Sequence, residues 1–265
     1  MFEINNLVVN VDEKEILHDI NLTIPDGEVH ALFGPNGSGK SVLIRSIMGY
    51  PEYNVQKGII LFNKNNLCDL TIDQRVNLGI GVCEQRPPTI KGVKVRNLLD
   101  KITTTEDRRC YTNAMIKSLQ FERFLDRNIN DGLSGGEIKY SELFLVLILC
   151  PSFLLLDEPD SGVDPEHLKL ISNMINQILS KKNSSGNVTN THIHRNSGLI
   201  VTHSAAILDY IHVDKAHLMV NGQILCSGNP GIMMDQIKNL GYDYCIKCQE
   251  TQQLKYGKHV MYETQ

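Results

Sequence analysis

The chain has 265 residues, of which 42% are apolar and 21% charged, with a formal net charge of −4. That length and apolar share allow a full core without disulfide staples, and the mild acidity argues against a protein that coats nucleic acid. Seven cysteines, an odd number set mostly singly among apolar residues, point to reduced thiols in a cytoplasmic protein, and no apolar run reaches the roughly 18 residues of a membrane span, so no direct membrane insertion is expected.

In chain order, FEINNLVVNV and EILHDINLTI flank the polar Asp12-Glu13-Lys14, which predicts a hairpin. Pro25-Asp26-Gly27 marks a turn before a strand over Val29 to Phe33. A glycine-rich loop, a helix ending near Gly49 and the short strand GIILFN follow. From 86 to 150 strand character fades. VKVRNLLDKI, RRCYTNAMIKSL and GGEIKYSELFLVLIL carry helical spacing, which predicts a helical subdomain inserted between two strands. Strands return with FLLLD and GLIVTH, joined by a helix from Pro165 to about Ser180 that starts at Asp164 or Pro165. Residues 181–198 are Asn/Ser-rich and aperiodic, a flexible loop. AHLMVNGQILCSG predicts a hairpin turning on Asn221-Gly222, Pro230 to Leu240 a helix, and 241–265 a polar C-terminal tail. The whole, 1–265, is expected to be one α/β domain.

Three short stretches carry chemistry. GPNGSGKS, Gly34 to Ser41, fits G-x-x-x-x-G-K-[ST] between a predicted strand and helix. Gly34, Pro35, Asn36, Gly37, Ser38 and Gly39 form a loop whose backbone N–H groups, all but the one Pro35 lacks, would turn onto phosphates, Lys40 would reach the β- and γ-phosphates, and Ser41 would give its hydroxyl to Mg²⁺, with Val42 following in the first helical turn. A glycine-rich turn with a chance lysine is the bland alternative, and the strand–loop–helix context outweighs it. In DEPDSGVD, Asp157 is placed to hold Mg²⁺ and Glu158 to orient the attacking water, while Pro159 ends the strand. In LSGGE, Ser134 is an N-cap and Glu137 completes a capping box. A well-capped helix explains that pattern by itself, yet the small residues also leave N–H groups bare for a second phosphate.

Gly34–Ser41, Gln85, Leu133–Glu137, Leu154–Glu158, Ser161–Asp164 and His203, in this order, resemble the nucleotide-binding domain of the ABC ATPases, over about 1 to 240. The resemblance implies a P-loop fold: a RecA-like core with an antiparallel β subdomain and an inserted helical subdomain. It implies ATP and Mg²⁺, and an ATP-dependent homodimer arranged head to tail. Lys40 of one subunit and Ser134, Gly135, Gly136 and Glu137 of the other would then enclose one nucleotide. By the same resemblance Gln85 is a lid residue touching Mg²⁺ or water, Asp164 crosses the dimer interface, and His203 bonds the γ-phosphate. Catalysis would fall to Glu158, His203 and Lys40, and metal binding to Ser41, Gln85 and Asp157.

GEVHALFGPNGSGKS, GYPEYNVQKGIILFN, DSGVD and ILDYIHVDKAHLMVNGQILCSG are similar to the SufC type, the soluble ATPases of iron–sulfur cluster assembly, in particular those of archaeal minimal systems. That likeness implies a SufB/SufD-like scaffold protein as partner, bound near Gln85 to Leu125. The alternatives are the ATP-binding subunit of an ABC transporter and an ATP-gated clamp with negligible turnover. Pro159, a short segment between Gln85 and Leu133 and a long 181–198 loop depart from the SufC pattern. No aromatic residue lies between Phe2 and Phe33, where ABC domains stack adenine, so weak base discrimination is expected. Cys245 and Cys248, at C-x-x-C spacing, are half a zinc site at most and are expected to be free thiols. His192 and His194 are expected in a solvated loop.

Overall fold

The computed structural model describes residues 1–180, 195–203 and 206–242, which gather into two units. Among described residues the first comprises 1–70, 199–203 and 213–242, and the second 71–180, 195–198 and 206–212.

In the first unit β1 (Phe2–Val11) and β2 (Lys14–Ile24) form the expected antiparallel hairpin, with Phe2 opposite Ile24 and Leu7 opposite Ile20. Its turn holds Asp12 and Glu13 at φ of 47° and 62°, the doubly left-handed geometry of a tight hairpin, made here without glycine. β4 (Asn54–Phe62) pairs with the other edge of β1, and β5 (Asn65–Asn66) closes that four-stranded sheet. The strand β3 (Val29–Phe33) is buried at every position, which its unbroken apolar VHALF suits, since a parallel strand is covered on both faces. It runs parallel to β11 (Lys215–Val220), which returns through a hairpin into β12 (Gln223–Gly228) over Asn221-Gly222 at φ of 46° and 72°. Asp214 pins the start of that pair: its Oδ2 accepts Val29 N–H at 2.8 Å and its own N–H donates to Val29 O at 2.8 Å. The helix α1 (Lys40–Met48) follows β3, and residues 230–242 are helical.

His30 on β3 and His217 on β11 meet inside this unit, 1% and 4% exposed. His217 Nε2 is 2.9 Å from His30 Nδ1, His217 Nδ1 is 2.6 Å from Ser227 Oγ, and His30 Nε2 is 2.9 Å from Glu28 Oε2. Burial, above all, holds the His217 imidazole down at about 3, and burial likewise lowers His30.

In the second unit β6 (Ile80–Cys83) and β9 (Phe153–Asp157) run parallel, Ile80 opposite Phe153 and Cys83 opposite Leu156. The helices are α2 (Ile72–Asn77), α3 (Val95–Ile102), α4 (Glu106–Ser118), α5 (Gly135–Leu149) and α6 (Pro165–Leu179). α5 and α6 start with the caps expected from sequence: Ser134 with Glu137, and Asp164 ahead of Pro165. Phe121 stacks on Phe144 with ring centroids 3.6 Å apart, and Phe124 and Tyr140 lean on Phe121, which ties the 121–124 turn to α5. The region read as wholly helical also holds β7 (Ile90–Lys94), paired with the two residues of β8 (Asn128–Ile129). All of β7 is exposed, so no burial alternation was present for a sequence pattern to display. β10 (Ser197–Val201) likewise begins inside the stretch expected to be loop through 198, and Arg195 bridges to Ser180 just before it.

Candidate active site

The phosphate loop lies in the first unit. The chain leaves β3 at Phe33 and must pass Gly34 under the backbone of β11, where any Cβ would sit 2.2 Å from Met219 O. At its far end Gly39, at φ 105°, is the residue before α1, and a Cβ there would sit 2.8 Å from Leu17 Cδ2. Gly222 N–H donates to Ser38 O at 2.9 Å, fastening the loop to the β11–β12 turn. Between these fixed ends Asn36 and Gly37 are exposed, while Ser38 and Lys40 are buried. Lys40 Nζ folds back to donate to Gly34 O at 2.8 Å and Pro35 O at 3.0 Å. Ser38 Oγ is buried with no hydrogen-bond partner among the described residues. α1 starts with no side-chain cap and no acid in its first turn, so its N–H groups and the positive end of its dipole are open to an anion. An unsatisfied buried hydroxyl, an ammonium lying over the loop and a bare helix start fit a polyphosphate. Ser41 and Val42, both half-buried, follow in the first turn.

The acids after β9 lie in the second unit. β9 carries its apolar run into Asp157 and Glu158, 3% and 8% exposed. Glu158 takes a left-handed φ of 48°, and Ser161 N–H donates to its carbonyl at 3.1 Å, so the chain turns sharply as the strand ends. The β6–β9 register carries Gln85 to the same place, and its Nε2 donates to Glu158 Oε2 at 2.5 Å. Sequence reasoning set Gln85 against metal or water; the structure sets its amide against the carboxylate that would orient the water. The buried carboxylate of Asp157 is an oxygen donor of the kind Mg²⁺ takes.

The LSGGE loop also lies in the second unit, packed against the residues after β9. Ser134 Oγ accepts Glu137 N–H and Glu137 Oε2 accepts Ser134 N–H at 3.0 Å; that backbone bond, foremost, holds the Glu137 carboxyl below its usual range. A Cβ on Gly135 would sit 3.0 Å from Gly162 O, and one on Gly136 2.7 Å from the His167 ring. Asp164 Oδ1 accepts Glu166 and His167 N–H at 3.1 Å each, and Oδ2 lies 2.7 Å from His167 Nδ1. These bonds, led by that from His167 N–H, lower the Asp164 carboxyl. Asp164 therefore caps α6 within its own chain, the helix start that the sequence reading set at Asp164 or Pro165 beside its expected place at a dimer interface. His203 is exposed and belongs to the first unit, two residues past β10. Cys245, Cys248, His192 and His194 lie outside the described residues.

Sequence reasoning missed three residues of the second unit that touch these groups or their neighbours: His167, Lys139 and Glu142. A signal for the last two was present, since KYSE sets two charges three residues apart at the head of the apolar run LFLVLIL.

A P-loop between a buried parallel strand and a helix, with an antiparallel β subdomain and a helical region, defines an ATP-binding cassette. The family model described as ABC transporter matches residues 17–161. The chain is 36% identical over 258 residues to a probable ATP-dependent transporter, ycf16, of Cyanophora paradoxa, covering 92% of this chain and 94% of that protein. It is 37% identical over 243 residues to a probable ABC transporter ATP-binding protein of Streptococcus pyogenes serotype M3, covering 88% and 90%. A dimeric ATP-binding cassette in a post-hydrolysis state bound to ADP and Pi shares the fold, with a TM-score of 0.68 at 19% identity over 86% of this chain and 98% of that one. The chain belongs to the ABC transporter family. Members of that family bind ATP with Mg²⁺ and hydrolyse it, and their cassettes form dimers. Among the described residues no helix is long and apolar enough to cross a membrane.

Proposed function

We propose that the chain is a SufC-type ATPase. It binds and hydrolyses ATP in a head-to-tail dimer and uses closure to change the conformation of a SufB/SufD-like scaffold during iron–sulfur cluster assembly. The observation that carries the ATPase part is the pair of buried acids, Asp157 and Glu158, ending β9 with Gln85 Nε2 2.5 Å from Glu158. The cluster-assembly part is supported by the four SufC-like stretches quoted above.

In this reading Lys40 and the open start of α1 hold the phosphates, and Ser38 Oγ gains the partner it lacks. Asp157 and Ser41 are the residues that would hold Mg²⁺, which supplies charge neutralisation on the β- and γ-phosphates. Ser134, Gly135 and Gly136 of a second subunit donate to the same γ-phosphate, and Asp164 lies beside them at that interface. Glu158 orients a water on the γ-phosphorus and His203 steadies the transferring group. The water oxygen bonds to phosphorus as the bond to the bridging oxygen breaks, giving ADP and phosphate. Most of the rate gain comes from positioning and charge, so closure of two subunits is the step that completes the site. Closure then works on a scaffold held near Gln85 to Leu125, through contacts that exist only in the closed state.

A second reading, the ATP-binding subunit of a transporter, is favoured by the names of the relatives at 36% and 37% identity. Copurification from native cells separates them: a soluble β-helical partner with iron and sulfide in the complex supports the first, and a multi-spanning membrane partner refutes it. Glu158→Gln is expected to trap an ATP-bound dimer, seen as a doubled mass by light scattering with ATP. Hydrolysis at the parent rate by that variant would overturn the assignment of Glu158.

A further inference from the structure

Lys139 and Glu142 stand three residues apart on α5 and so share a face. Glu142 Oε1 accepts the N–H of Glu84 at 2.7 Å, and its Oε2 accepts the thiol of Cys83 at 2.8 Å. Lys139 Nζ donates to the carbonyl of Glu84 and lies 3.9 Å from Glu142 Oε2. One turn of α5 thus grips both backbone polar groups of residue 84, immediately before Gln85. The grip is internal: Cys83 is fully buried, Lys139 is 3% exposed and the Glu142 side chain 13%. Burying an acid and a lysine in an otherwise apolar helix sacrifices solvation that leucines in their place would not. Helix formation does not require them, because α5 is already capped by Ser134 and Glu137 and packed through Tyr140 and Phe144.

We propose that Glu142 is a positioning residue for ATP hydrolysis: it fixes the end of β6 so that Gln85 meets Glu158, and it ties that contact to α5, whose first turn bears the Ser134 loop. In a head-to-tail dimer the Ser134 loop of a subunit grips one nucleotide while its Glu158 serves the other. The clamp therefore links the two nucleotide sites through the body of a single subunit. This rests on the ATPase reading of Glu158 above.

The test is steady-state hydrolysis by the full chain, with binding of a fluorescent ATP analogue and thermal unfolding followed by circular dichroism. Glu142→Leu removes both carboxylate oxygens, and with them the hydrogen bonds from Glu84 N–H and the Cys83 thiol. It is expected to lower kcat about tenfold or more with the analogue's Kd within about twofold of the parent, and to bring the Hill coefficient for ATP towards 1. Glu142→Gln keeps one acceptor for Glu84 and is expected to restore kcat to within about threefold. A pH profile separates positioning from packing. Burial, foremost, raises the Glu142 carboxyl to about 6, with Glu84 pushing the same way and Lys139, the Cys83 thiol and the Glu84 N–H opposing. Below that pH the protonated carboxyl, like the Gln amide, keeps one acceptor and turns the other into a donor, so parent kcat falls to about the Glu142→Gln level, by no more than about threefold, on an acid limb that Glu142→Gln lacks. Parent kcat in Glu142→Leu, equal losses in the Leu and Gln variants, or an acid limb unchanged in Glu142→Gln would each overturn the proposal. If Glu142→Leu does not fold, the pH profile of Glu142→Gln decides. A failed catalytic reading shows itself separately, as parent-rate hydrolysis by Glu158→Gln.

Discussion

The His30–His217 pair makes the first unit sensitive to acid by a calculable amount. His217 is neutral in the fold, held at about 3 by burial first and then by the nearby His30 and Lys215. In the unfolded chain its imidazole returns to about 6.5. Between those values the unfolded state binds the proton and the folded state does not, so stability rises with pH across the window and falls as acid is added. From pH 7 to pH 5 the unfolded state gains about 2 kcal/mol from this one group, and a folded value anywhere below about 4 gives the same result. His30, lowered in the same direction, adds to it. His217→Gln keeps a polar side chain between His30 and Ser227 but cannot take the proton. Urea unfolding at pH 7 and pH 5 provides the assay, followed by far-UV circular dichroism because the chain has no tryptophan. The parent is expected to lose about 2 kcal/mol more than the variant between the two pH values. Equal losses in both would refute the claim that His217 is buried and neutral.

Two further outcomes follow from the phosphate loop. Gly34→Ala puts a methyl 2.2 Å from a backbone oxygen of β11 that has no freedom to swing aside, so nucleotide binding should fall about a hundredfold or more in a fluorescent-analogue titration; parent affinity would show that the loop relaxes. With no aromatic between Phe2 and Phe33 to stack on a base, a contact worth about 1–3 kcal/mol elsewhere, ATP and GTP should bind within a hundredfold of each other in competition, and a larger preference would expose another base-reading contact.

How far the sequence could be read depends on the span of the contact. GPNGSGKS, the Ser134–Glu137 capping box, the Asn221-Gly222 hairpin and the buried run FLLLD are written in a few adjacent residues, because turn chemistry, caps and strand burial act locally. Those stretches determined by themselves where the phosphate loop begins, that a strand precedes it and a helix follows, and which acids end the strand FLLLD. Strand register, by contrast, is a tertiary decision, since one residue of slip sends every side chain to the opposite face. Only the pairing of β6 with β9 brings Gln85 onto Glu158, 73 residues away. Only packing of α5 beside β6 gives Glu142 the Glu84 N–H 58 residues before it. His30 and His217 are 187 residues apart, and each in isolation reads as an ordinary imidazole on a strand. Charge inside an apolar helix or strand marks a position that needs a partner; the partner is chosen by whichever chain segment the fold lays against it.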